Sequence, residues 1–345
     1  MRLADDGTLL LSPSDLANHL ACAHLTQVAA DVQRGEIEAP ATRVSAHADL
    51  IARKGDEHEA AFLEALREQG REVVEIGFSE DGLEEAARLT EEALRAGAEI
   101  VYQGVLMSER WRGIADFLVR VDEPSDLGAF SYEAWDTKLA RSAKPNAVLQ
   151  LTFYSHELGR IQGRLPERMR VVLGTGVEEV LRPADFAAFY RRARARLEDA
   201  IVQRPPTYPY PVYHCGLCDF LQRCEAQWER DDHLVEVASI RRDQIERLGL
   251  AGISTLEALG DTPAGTEVPR MSEATFETLR HQASLQLGAR RTGIHRHELL
   301  TPEETADRIP ILDPGYILGS YLVPSDGIAK GVRVAAALGA KAEAE

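Results

Sequence analysis

Cysteine is nearly absent from this chain: four residues in 345, at Cys22, Cys215, Cys218 and Cys224. That excludes a small domain stapled by many disulfides. No run of about 18 apolar residues occurs, so neither a membrane-spanning helix nor a membrane partner is expected. The opening residues, MRLADDGTLLLSPSDL, lack a basic stretch followed by a long apolar core and do not read as a secretory signal. The expected location is therefore cytoplasmic. No Walker A sequence is present, so any helicase action would have to come from a partner. Basic residues are outnumbered, 39 Lys and Arg against 56 Asp and Glu, giving a net charge of −17. That balance argues against a protein that coats nucleic acid with its whole surface.

A local basic groove remains compatible with that total. Residues 160–204 hold ten Arg against six Asp and Glu, a local balance of +4. Arg191, Arg192, Arg194 and Arg196 fall on one predicted helix, where they serve either as a solvated face or as phosphate contacts. The length suffices for one full core and a second, smaller domain.

Periodicity and end signals outline the elements. Residues 11–34 read as a helix, with Ser12 or Ser14 as N-cap, Pro13 in the first turn and Gly35 past the end; Cys22 falls within it or at a break. A second helix is expected over 45–69, a short strand over 72–78 and a helix over 80–96. Three strand-like runs follow, near 99–107, 110–121 and 130–139, then a helix over 145–162, a strand near 168–174 and a helix over 183–203. PPTYPYPVYHC suits an extended connector delivering the chain to Cys215.

The chain is organised around residues 111–154. WRGIADFLVRV carries Asp116, FSYEAWDTKLAR carries Asp136 and Lys138, and the next helix carries Gln150 and Tyr154. Residues i and i+2 of a strand share a face, so Asp136 and Lys138 project together while Thr137 points away. Glu133, three before Asp136, falls on the opposite face and reads as structural. Asp116 on the neighbouring strand can reach the same point. Two carboxylates aimed at one spot in a half-buried sheet repel unless a cation lies between them. Hard oxygen ligands with open positions suit Mg²⁺ or Mn²⁺. Such an ion polarises a phosphodiester and activates water, and a nearby lysine stabilises the developing charge. Gln150 and Tyr154, four apart, share a helix face; periodicity alone would bury Tyr154 in the core.

The set Asp116, Asp136-Thr137-Lys138 and Gln150 to Tyr154 resembles the motifs of PD-(D/E)XK superfamily nucleases, in particular their RecB-like branch. The resemblance covers residues 11 to about 230. It implies an α/β fold, a restriction-endonuclease-like mixed sheet flanked by helices. It implies a metal-dependent nuclease acting on DNA, at single strands or processed ends, in repair, recombination or defence. Asp116, Asp136, Lys138, Gln150 and Tyr154 would be the catalytic set, with Gln150 and Tyr154 facing the active site or the nucleic-acid backbone. RKGDEHEAAFL looks like the Gly-x-x-His element that such nucleases carry ahead of the core. By that likeness His58 joins Asp116, Asp136 and the Thr137 carbonyl as metal ligands.

Cys215, Cys218 and Cys224 form C-x2-C-x5-C, with Cys22 standing 193 residues upstream of the trio. In a cytosolic chain that reads as a metal site rather than disulfides. Four thiolates satisfy either a 4Fe–4S cluster or a structural zinc. The one-plus-three arrangement resembles the iron–sulfur branch of the RecB-like nucleases, of the TM-type family, which implies the cluster.

From Asp231 the composition changes. Residues 231–300 read as a helical domain, and LGLAGIST resembles the hairpin of helix-hairpin-helix modules, which contact phosphates without reading sequence. A plain helical bundle fits equally well. Residues 301–345 read as a divergent or disordered tail. Two other functions compete with this reading. An iron–sulfur DNA glycosylase would gather its four cysteines in one segment after the hairpin, whereas here the trio precedes it. A non-catalytic nucleic-acid-binding or assembly module would not need the full Asp, Asp-x-Lys and Gln-x-x-x-Tyr set.

Overall fold

The computed structural model describes residues 1–4, 6–41, 46–77, 82–291, 298–308 and 320–322. The chain forms two compact units, Met1–Leu221 and Gln222–Glu345.

The first unit opens with an antiparallel pair of short strands, β1 (Arg2–Leu3) and β2 (Leu9–Leu10). Helix α1 (Pro13–Ala21) starts at Ser12, whose side chain accepts from the Asp15 amide while the Asp15 carboxylate accepts from the Ser12 amide at 2.8 Å. This reciprocal cap, with Pro13 in the first turn, fixes the helix start. The single helix expected over 11–34 is broken at Cys22, which stands in extended backbone between α1 and α2 (Ala23–Gln33). Next come α3 (Ala46–Glu68), β3 (Val73–Glu75), α4 (Leu83–Arg95), β4 (Ile100–Ser108), β5 (Trp111–Val121) and β6 (Ser131–Lys138). They are followed by α5 (Pro145–Gln162), β7 (Met169–Leu173), β8 (Glu178–Leu181) and α6 (Pro183–Gln203).

The strands of this unit build a mixed six-stranded sheet in the order β3-β4-β5-β6-β7-β8. The β3–β4 and β6–β7 pairs are parallel and the others antiparallel. Helices cover both faces, so the fold is α/β. Strand alternation sends Leu118, Tyr132 and Ala134 to one face, where they join Phe153 and Leu158 of α5 in the main core. It sends Phe117 and Val119 to the other face, against Leu63 and Leu66 of α3. Phe62 of α3 meets Phe117 edge-on at 5.2 Å. Each fully buried side chain of this size contributes roughly 1.5–3 kcal/mol. The core therefore clamps β5 and β6, the two strands that carry the acids. Glu133 registers with Val119, on the face away from Asp136, where it pairs with Arg170 at 3.5 Å.

After α6 the Pro- and Tyr-rich stretch has no regular structure until a 3-10 turn at Tyr213–Leu217. Helix α7 (Leu221–Arg230) begins at the division between the units. The second unit contains α8 (Arg242–Leu250), α9 (Leu256–Asp261), α10 (Glu273–Arg291), β9 (Glu298–Leu300), α11 (Pro302–Arg308) and β10 (Ser320–Leu322), with β9 and β10 antiparallel. The α8–α9 turn passes through Gly252 at φ +78° and is pinned by the buried Ile253. Helices α9 and α10 approach closely at Gly260, where an added Cβ would come 2.5 Å from Leu287. Most of the tail expected from residue 301 lies outside the described residues. Among the described residues, no helix is long and apolar enough to cross a membrane.

Candidate active site

Register brings the two aspartates together. Phe117 pairs with Trp135 in the antiparallel β5–β6 ladder. Asp116 and Asp136 are the next residues along, so they stand opposite each other on one face. Asp136 is fully buried. Its Oδ1 accepts from the Lys138 ammonium at 2.8 Å, as the two-residue strand repeat requires. The Thr137 amide donates to Asp116 Oδ2 at 3.2 Å. Asp136 Oδ2 is buried and meets no protein donor among the described residues. A proton held on Asp116, or a cation, is what can satisfy it.

The electrostatics follow from that geometry. Burial, and then the Asp136 carboxylate beside it, push the Asp116 carboxyl up to about 8, against the opposing pull of Lys138 and the Thr137 amide. Burial alone would depress Lys138. The carboxylates of Asp136, Asp116 and Glu59 outweigh it and hold the ammonium above the ordinary lysine range. Lys138 is thus a fixed cation here.

Helix α5 braces this strand pair. Tyr154 is 2% exposed and its hydroxyl donates to the Ile114 carbonyl, two residues before Asp116. Gln150 Nε2 donates to the same hydroxyl at 2.9 Å. Burial holds the Tyr154 phenol protonated, and the fields of Asp116 and Asp136 add to that effect. Gly113 makes this approach possible: a Cβ there would come 2.6 Å from Phe153 and 2.8 Å from Tyr154.

On the other face, α3 supplies a group that periodicity and motif left out. Glu59 accepts from the Tyr102 hydroxyl at 2.8 Å. Gln103 Nε2 donates to that hydroxyl at 3.1 Å. Gln103 lies opposite Asp116, between the registered pairs Tyr102–Phe117 and Gly104–Ala115, and adopts φ +52°. A glutamine in left-handed backbone inside a strand marks a locally strained position. Glu59 directly follows His58, and that adjacency was the one signal in the sequence that could have exposed it. His58 lies one turn before Phe62, and its Nε2 is buried with no hydrogen-bond partner among the described residues.

A divalent ion fits the chemistry of these donors. The two carboxylates face each other, one buried oxygen lacks a donor, and burial makes charge on both costly without a counter-ion. Among the described residues, no three His, Cys, Asp or Glu side chains already converge into a metal cage. The structure therefore brings Asp116, Asp136 and Lys138 together and does not draw His58 into one coordination sphere with them.

The cysteines are brought together in part. Cys22 caps α2 at the break after α1, while Cys215 lies in the 3-10 turn and Cys218 ends it. Burial pushes the Cys218 thiol up, and the charges of Cys215 and Cys22 add to that effect. Cys22, 196 residues upstream, and Cys215 thus both act on Cys218, without disulfides. Soft sulfur donors suit a thiolate-held metal group by their chemistry, though among the described residues they do not converge into a metal cage.

No protein-family model matches the chain, and no curated protein matches it. The arrangement of side chains is therefore what bears on function. Within the basic cluster, Arg194 is already engaged. Arg194 pairs with Glu198 at 2.9 Å and lies 5.0 Å over the Trp111 ring. Arg160, Arg164, Arg170 and Arg204 each pair with acids as well.

Proposed function

We propose that this chain is a metal-dependent nuclease of the RecB-like PD-(D/E)XK kind, with a restriction-endonuclease-like core, hydrolysing phosphodiester bonds of DNA. The carrying observation is the facing pair Asp116 and Asp136, with one donorless buried oxygen and Lys138 fixed beside it. Asp116, Asp136 and the Thr137 carbonyl would hold Mg²⁺ or Mn²⁺, with His58 closing in from α3. A divalent ion in that position supplies Lewis acidity toward the phosphodiester and a more acidic bound water.

The protein groups do the rest. Lys138, held as a cation by three acids, stabilises negative charge building on the phosphate oxygens. A lysine so held is a poor base, so it does not take the proton of the attacking water. Tyr154 and Gln150 fix β5 through the Ile114 carbonyl. They hold Asp116 opposite Asp136, which is the positional precision such chemistry needs. Glu59, tied to Tyr102, adds to the negative field around Lys138. Cys22, Cys215, Cys218 and Cys224 would hold a 4Fe–4S cluster, or alternatively a structural zinc, with a role in fixing the fold.

The test is cleavage of labelled single- and double-stranded DNA by protein purified without oxygen, with Mg²⁺ or Mn²⁺ against a chelator. Cutting should need the metal, and Lys138→Ala should lower the rate by about 10²–10³ while the protein stays folded. Failure of the intact protein to cut with either metal would leave a nucleic-acid-binding module as the better reading.

A further inference from the structure

A cavity of about 270 Å³ lies between helices α5 and α6. Pro145, Val148, Leu149 and Thr152 line it from α5, and their spacing makes them one stripe of that helix. Gln150 and Tyr154, which brace β5, fall on the opposite side of α5. Phe186 and Phe189, three apart on α6, form the facing wall. Phe189 is 59% exposed, so an aromatic ring is left in water at the cavity. The one polar side chain in the lining, Thr152, turns its hydroxyl to the Val148 carbonyl at 2.7 Å.

Sheet register sets the cavity near the carboxylates. Asp136 pairs with Val171, and Val171 with Glu179, so the three form one row across β6, β7 and β8 on a single face. Neighbouring strands are about 4.8 Å apart, which puts Glu179 roughly 10 Å from Asp136. The Glu179 carboxylate accepts from the Ala143 amide at 3.2 Å, and Ala143 lines the cavity. The segment that leaves Lys138 for α5 carries two cations, Arg141 and Lys144. Both are exposed, and neither makes an ion pair among the described residues. Lys144 stands between two lining residues, Ala143 and Pro145.

An apolar slot walled by phenyl rings, with unpaired cations beside its lining, matches the two halves of a nucleotide: a flat base and an anionic backbone. The volume is just under the roughly 300 Å³ at which small-molecule pockets begin, so it admits a base and leaves sugar and phosphate outside. We propose that this cavity is a stacking subsite for one unpaired base of the strand being cut, with Phe189 against the base and Lys144 and Arg141 on its flanking phosphates. The proposal rests on the nuclease reading and extends it to the form of the substrate. A base inside a duplex cannot enter without being turned out of its stack, so the subsite favours single strands. With Thr152 bonded to its own helix, no lining side chain among the described residues offers a free hydrogen-bonding group. The subsite therefore accepts any base. Its distance from the carboxylates corresponds to roughly three or four stacked nucleotides at about 3.4 Å each, and to fewer if the strand is extended.

The test uses the full protein, a labelled single-stranded oligothymidylate and Mn²⁺. Phe189→Ala should raise KM about tenfold, the worth of one stacked base, with a smaller change in kcat. Phe189→Trp, which keeps a ring, should stay near wild type. Lys144→Gln should lower the slope of log KM against log salt by about 0.7, one phosphate contact on a single strand; an unchanged slope overturns the phosphate contact. In parallel, single abasic positions are placed one to four nucleotides to either side of the cleaved bond. One of them should raise KM for the wild type and have no further effect on Phe189→Ala. The substrate series on the wild type decides the matter even if the Ala variant does not fold. Wild-type cutting that is indifferent to every abasic position overturns the subsite and leaves the nuclease standing. A Phe189→Ala variant with unmoved KM that turns a dimer into a monomer also overturns it, and makes this face a contact between copies of the chain. A wild type that does not cut overturns both the subsite and the nuclease reading.

Discussion

At Asp116, burial and a facing carboxylate act in the same direction. Its carboxyl is pushed up to about 8 from an ordinary 3.8, so between those values the folded protein holds a proton that the unfolded chain has lost. A group of this kind contributes stability at low pH, and that contribution is lost as pH rises through the folded value. In chelator, wild-type protein should therefore lose melting temperature between about pH 4 and 8 more steeply than Asp116→Asn does. By pH 8 the variant should melt about 3 °C or more above wild type. Parallel pH profiles would show that Asp116 is not a strained acid. Asp136 and Lys138 were legible in the sequence because strand alternation places them together, and Asp116 because the motif resemblance put it on the neighbouring strand. Glu59 and Tyr102 were not, because their meeting depends on how α3 lies across the sheet, which no local spacing encodes. Gln103 was hidden for a similar reason, since nothing in IVYQGVLMS announces left-handed backbone at its fourth residue.

Among the elements, β5 carries most of the design. Its outer half is fixed by Tyr154 at the Ile114 carbonyl, and Gly113 leaves room for that ring. Gly113→Ala should destabilise the first unit by about 1–3 kcal/mol, as overpacking does. The same substitution should lower cleavage by displacing Asp116. Urea unfolding checks the first effect, and a cost under about 0.5 kcal/mol would mean the rings yield without resistance. Helices α5 and α6 were read from the sequence to the residue, because Pro145 and Pro183 mark their starts and apolar spacing runs through both. Strand β8 was missed. EEVL is a short edge strand with no buried residue, so it carries no apolar pattern to read. The break at Cys22 was only half legible, since the flanking residues continue the helical pattern and only the extended backbone at the cysteine interrupts it.

For the molecule as a whole, the proposed cysteine site would join the beginning of the first unit to its end. Cys22 follows α1, and Cys215 and Cys218 follow the Pro- and Tyr-rich connector, yet Cys22 and Cys215 both act on the Cys218 thiol. A metal group there would close nearly the whole first unit into one loop and so lower the entropy of the unfolded chain. Cys218→Ser should remove visible colour from protein purified without oxygen and should lower the melting temperature of the first unit. A colourless wild type containing zinc would select the zinc alternative, and one with neither metal would remove the site. With a net charge of −17, the proposed nuclease would have to meet its substrate through local cations such as Lys138 rather than through its whole surface.

The most direct measurement of the central claim sets Asp136→Ala beside wild type in a Mn²⁺ titration of DNA cleavage. If Asp116 and Asp136 share the ion, wild type should cut with saturable metal dependence and the variant should lose cutting at every metal concentration. A variant that cuts like wild type would contradict the assignment of this carboxylate pair as the catalytic centre.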